Sequence, residues 1–138
     1  MLDASRKLGN MENLKVLIFV ESRYKVNRKR IKTALANLIS EQGVNSPVEV
    51  SVAIVGDRKM RELSRKYKGE DKTRNILSFS LSEGEKMEVP NDIIRLGDIV
   101  ISYPVVITEA ARDEVLVDEK IDELVTHGMT HLLGIHHE

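Results

Sequence analysis

Apolar positions along this chain switch repeatedly between a period of two and a period near 3.6, and each switch marks a new element. Residues 14–20, LKVLIFV, form a short apolar run broken only by Lys15, which suits a buried strand. Ile31, Leu35, Leu38 and Ile39 then recur at helical spacing with Ala34 on the same face, and Gly43 is placed to end that helix. Val48, Val50, Val52 and Ile54 alternate with Glu49, Ser51 and Ala53, predicting a strand with one apolar face, entered after Pro47. Next comes a helix with Asp57 as its N-cap, Met60, Leu63 and Tyr67 on one side, and Arg58, Lys59, Arg61, Arg65 and Lys66 on the others.

The charged stretch KGEDKTRN, residues 68–75, reads as a loop leading into a third strand over 76–81. Residues 82–95, with Gly84, Pro90 and Asn91 among charges, read as an exposed connection, and LGDIVIS, 96–102, as a fourth strand. Pro104 is expected as the first residue of a helix running to about Glu114. Asp118 is expected to cap a last helix with the apolar stripe Ile121, Leu124, Val125 and Leu132. Residues 1–10 show no period and are expected to be a flexible lead-in. The pattern predicts an α+β (or α/β) fold, a four-stranded mixed sheet packed with helices, as one domain over residues 1–138.

Composition narrows the chemistry. Apolar residues make up 41% and charged residues 31%, a globular balance. The absence of cysteine excludes disulfides and thiolate metal sites, so a transition metal would have to be held by His and carboxylates. Aromatics are only 4% with no Trp, so the core is expected to be aliphatic and broad base-stacking platforms are not evident. The run over 14–20 is too short to span a bilayer, and with no leader pattern a cytoplasmic protein without membrane partners is expected. The net charge of −1 conceals a division: residues 1–75 hold 17 Lys and Arg against 9 Asp and Glu, residues 76–138 hold 4 against 13. Such asymmetry is compatible with a polyanion on one face, although charge alone favours ordinary solvated helix surfaces.

All four histidines lie in the C-terminal stretch HGMTHLLGIHHE. His127 and His131, four apart, project from one helical face and can present two imidazoles to one ion, on the margin between the apolar stripe and solvent. Gly134 can take the left-handed conformation that ends a helix, and such a turn would return His136 or His137 toward the pair. Three imidazoles would leave a fourth tetrahedral position for water, as in a catalytic zinc site.

HGMTHLLGIHH resembles the H-G-x-x-H-L-x-G-x-D-H signature of the YbeY family of metal-dependent endoribonucleases, associated with ribosomal RNA maturation. YKGEDKTRNILSF, residues 67–79, resembles that family's Y-R-G-x-D-x-P-T-[DN]-V-L-S-F segment, and LGDIVIS its G-D-[IL]-V-I stretch. The resemblance implies one Zn2+ ion held by His127, His131 and His137, with His136 where the family has Asp. It implies RNA, of the ribosome or its subunit, as the partner rather than DNA. The family's catalytic arginine falls on Lys68, which keeps the charge but loses the planar fork that grips phosphate in two places. Arg74, six residues on, is a candidate to compensate, and Lys68, Lys72 and Arg74 beside the basic helix are candidates to contact phosphates.

Two rivals accompany this reading. A zinc peptidase shares the histidine spacing, but Gly128 stands where its general-base Glu would be. A ribosome-assembly factor whose metal is purely structural would accommodate both Lys68 and His136.

Overall fold

A computed structural model describes residues 13–80 and 93–137, with side chains as far as Gly134. The expected lead-in over 1–10 lies outside the described residues, as does most of the connection expected over 82–95. In chain order the elements are β1 (Leu14–Val20), α1 (Arg28–Glu41), β2 (Val48–Val55), α2 (Asp57–Lys68), β3 (Ile76–Ser80), β4 (Ile94–Ser102), α3 (Tyr103–Asp113) and α4 (Val117–His137). Ile94 and Arg95, expected in the connection, belong to β4, where Arg95 meets Glu49 of the neighbouring strand at 2.9 Å.

The strands form a sheet ordered β1-β2-β4-β3. β1, β2 and β4 are mutually parallel, and β3 runs antiparallel to β4. The sheet is therefore mixed and four-stranded, as the apolar pattern predicts. Leu96 is an extra residue in β4: Glu49 pairs with Arg95 but Val50 with Gly97. Gly97 sits at φ +144°, and a Cβ there would lie 1.9 Å from the carbonyl oxygen of Phe79, so only glycine lets β3 close on β4 at this bulge.

Alternation along the strands separates two apolar layers. One face, with Val50, Val52, Ile54, Ile99 and Ile101, packs under Ile31, Leu35 and Ile39 of α1 and Val125, Met129 and Leu132 of α4. The other face is thinner: Val55, Leu77 and Val100 meet Met60 of α2.

Helix ends correct the sequence reading by a residue at three places. Gly56, not Asp57, is the N-cap of α2; its N–H donates to Glu21 Oε2 at 2.8 Å, while the Asp57 carboxylate accepts from Arg61 Nε at 2.8 Å one turn on. α3 begins at Tyr103, with Ser102 Oγ accepting from Val105 N at 3.4 Å, so Pro104 is second rather than first. α4 begins at Val117, placing Asp118 in the first turn, where a carboxylate meets the positive end of the helix dipole.

Gly134 departs further from expectation. α4 stays helical through it to His137, and among the described residues the glycines with positive φ are Gly43, Gly69 and Gly97. The left-handed turn expected at Gly134 is not formed. Buried Leu132 and Leu133 anchor this last part of the helix to the core, which offsets the roughly 1 kcal/mol that an interior glycine costs a helix.

Candidate functional site

The buried face of α4 fixes the direction of its histidines. With Leu124, Val125, Met129 and Leu132 against the sheet, His127 and His131 emerge one turn apart toward solvent. Both are exposed, farther from the core than the margin expected from the sequence.

Gly128 explains how the helix comes so close. A Cβ at this position would lie 3.0 Å from Ile76 Cδ1 and 3.1 Å from Ile99 Cγ2, so the absence of a side chain lets α4 settle onto β3 and β4. The position where a zinc peptidase carries its general base is packed against the sheet and has no room for a carboxylate.

That close approach brings a strand residue to the site. Ser78 of β3 places its Oγ 2.8 Å from His131 Nδ1. With Nδ1 donating to the hydroxyl, the ring is fixed in one orientation and its Nε2 lone pair is left for an ion. The sequence signal for this was faint: alternation places Ser78 on the α4 side of β3, but a serine in a short strand announces no role.

The opposite wall comes from the end of α2 and the loop after it. Lys68 is the last helical residue, and Gly69 at φ +67° closes the helix in the left-handed conformation, its N–H bonding back to Arg65 O at 3.1 Å. The chain then returns so that Arg74 points inward. Its Nε donates to Ser64 Oγ at 3.1 Å, and its terminal nitrogen pairs with Glu70. Between the walls lies an open cleft of about 470 Å3, lined by Lys68, Arg74, Ile76, Leu77, Ser78, His127, Thr130 and His131.

The structure thus gathers four of the six sequence candidates, Lys68, Arg74, His127 and His131, around one concavity. Lys72 is not among the lining residues and pairs with Glu70 at 3.3 Å. The His136 and His137 side chains lie outside those described, and among the described residues no cluster of three His or acidic side chains is assembled. The donor chemistry of the described pair fits a borderline-soft cation: two imidazoles one turn apart, one of them braced by a hydroxyl. No helix among the described residues is long and apolar enough to cross a membrane.

The chain is similar to several known proteins. A protein from Syntrophus aciditrophicus named endoribonuclease YbeY is 41% identical over 90 residues, 65% of this chain and 55% of its own length. One of the same name from Anaeromyxobacter is 36% identical over 110 residues, 54% of its length, so the matched stretch spans about half of these two relatives. Another from Desulforamulus reducens is 36% identical over 112 residues, 79% of this chain and 72% of its own. Among solved structures, the solution structure of TM1509 from Thermotoga maritima shares the fold with a TM-score of 0.56 and 23% identity, covering 85% of this chain and 71% of that one. The family model described as endoribonuclease YbeY matches residues 18–138, across the sheet, the loop with Lys68 and Arg74 and the histidine helix, so the chain belongs to the YbeY family.

Proposed function

We propose that this chain is a zinc-dependent endoribonuclease domain that acts in the cytoplasm on ribosomal RNA during its maturation and quality control. The observation that carries the reading is the cleft itself, in which His127 and His131 face Lys68 and Arg74 across a gap open to solvent. His127 and His131 would hold one Zn2+ ion; His137, the third ligand that the resemblance implies, lies on the helical continuation of α4 and would join them only if the helix ended near Gly134 when the ion binds. Zinc bound there would supply a Lewis acid for a phosphoryl oxygen and a water with pKa lowered to about 7.

The chain's own residues do the remainder. Ser78 keeps the His131 ring aligned for the ion. Lys68, at the end of a helix whose last turn is basic, contributes an ammonium that draws the polyanion into the cleft. Arg74 offers what Lys68 lacks, a planar guanidinium whose donors can follow charge spread over several phosphoryl oxygens. Its anchors on Ser64 and Glu70 hold the fork in place while leaving the side chain 27% exposed.

A second reading, an assembly factor with a structural metal, draws on the same contact, because the Glu70 carboxylate offsets part of the Arg74 charge. The two separate in a cleavage assay on structured RNA at full zinc occupancy. Lys68→Arg should raise cleavage, and Arg74→Ala should lower it several-fold with zinc content unchanged. Cleavage by Arg74→Ala equal to the parent would remove Arg74 from the mechanism. Absence of cleavage by both the parent and Lys68→Arg would favour the assembly factor.

A further inference from the structure

The sequence offers no broad stacking surface, yet the fold makes a small one beside the cleft. Tyr67, next to cleft-lining Lys68, packs its ring on Phe79, next to cleft-lining Ser78, with centroids 4.5 Å apart and planes at 47°. Phe79 lies across β3 from Ser78, so the ring pair sits on the far side of the same edge strand from His131. Tyr67 nevertheless remains 53% exposed.

A single exposed aromatic is ordinary on a protein surface. This one differs in its support and its surroundings. Phe79 backs it and fixes its tilt, which removes the entropy cost of ordering a free ring on binding. Lys66 Nζ lies over the ring, 5.2 Å from its centroid, and Arg65 and Lys68 belong to the same helix end. Among the described residues no carboxylate pairs with Lys66 or Lys68, and the Lys66 ammonium, which rests on the Tyr67 ring, would swing off it to meet a phosphate as a base takes its place.

We infer that Tyr67, backed by Phe79, is a stacking platform for one unpaired nucleobase of an RNA whose phosphates run along Lys66 and Lys68 into the cleft. This rests on the RNA reading above and extends it: the strand entering from the α2 side would be single-stranded where it crosses the β3 edge. A base paired within a duplex keeps its faces covered by its neighbours, whereas an unpaired base can lay one face on the exposed ring.

Binding of short RNAs to the full chain tests this. The probes are an unpaired oligonucleotide, a blunt duplex of equal length, and an unpaired series carrying one abasic position at a time. Tyr67→Leu, which keeps apolar packing on Phe79 but removes the ring, should weaken binding of the unpaired probe by about tenfold and leave the duplex unaffected. Tyr67→Phe should bind as the parent does. In the parent, one abasic position should reproduce the loss, and in Tyr67→Leu that position should cost nothing more. The dependence on salt should be the same for parent and Tyr67→Leu, since no phosphate contact is removed. Unpaired RNA bound equally by the parent and Tyr67→Leu would overturn the platform while leaving the RNA reading intact. A parent that binds none of the probes would overturn both.

Discussion

The histidine wall of the cleft stands on Val125, Met129 and Leu132, all fully buried, whereas the cationic wall, α2, buries only Met60 and Ser64 of its 12 residues. Truncating a buried leucine such as Leu132 to Ala would cost roughly 2–5 kcal/mol, because the surrounding core cannot fully collapse around the gap. The exposed ion pairs of the other wall, Lys59 with Glu62 and Arg61 with Asp57, are screened by solvent and hold it far less firmly. The division suits what the proposed function would ask of each wall. Imidazoles must converge on one ion within about half an ångström, which only a packed helix can guarantee. Cations that hold a flexible polyanion act over longer distances and tolerate a looser base. Arg74 stands between the two regimes: it belongs to the loose wall but is tethered at both ends of its guanidinium.

If the rigid wall serves the ion, the largest effect of a single-atom change should appear there. Ser78→Ala should lower zinc affinity by roughly 10- to 100-fold, measured by calorimetric titration, as for other residues that orient a ligating histidine. Ser78→Thr, which keeps the hydroxyl, should stay close to the parent. Equal affinity for Ser78→Ala would mean that α4 alone aligns the ring and that the strand contributes only packing.

A smaller effect concerns how the rigid wall is fastened to its neighbour. Lys120 of α4 is 4% exposed and reaches Asp113 of α3 at 2.7 Å and Glu123 at 2.9 Å. Arg112 first, and Lys120 with it, hold the Asp113 carboxyl down at about 2, below its ordinary 3.8. A depressed carboxylate stabilises the fold above its unfolded pKa, and that contribution is lost as pH falls through the folded one. The melting temperature should therefore drop between about pH 4 and pH 2, and Asp113→Asn should show a shallower drop over that interval. The same slope in both proteins would place the acid sensitivity elsewhere.

Much of the fold was legible because it is written in local period. The run at 14–20 became β1 with its bounds unchanged, and the helix marked by Ile31, Leu35, Leu38 and Ile39 became α1, ending near Gly43. Sheet order was not legible. Placing β4 between β2 and β3 depends on pairing residues nearly fifty positions apart, such as Val52 with Ile99, and on the bulge at Gly97, neither of which leaves a periodic trace. The site divides in the same way. His127 and His131 were visible through their helical spacing and through resemblance. Ser78 and the packing role of Gly128 emerged only when α4 lay on β3. Tyr67 was visible as part of an apolar helix face, but its stack on Phe79 required the strand beyond the loop. The turn expected at Gly134 failed because glycine permits a left-handed turn without requiring one.

The decisive proposal is that the cleft between the two walls cuts RNA with the help of a bound ion. Its most direct test is cleavage of a structured ribosomal RNA fragment by the protein with one equivalent of zinc, after chelation, and after zinc is restored. Cleavage present with zinc, lost on chelation and recovered on restoring the ion, and absent throughout in His131→Ala, is the result this account expects. Cleavage that persists after complete removal of the metal, or a fully loaded parent that leaves the RNA intact, would contradict it.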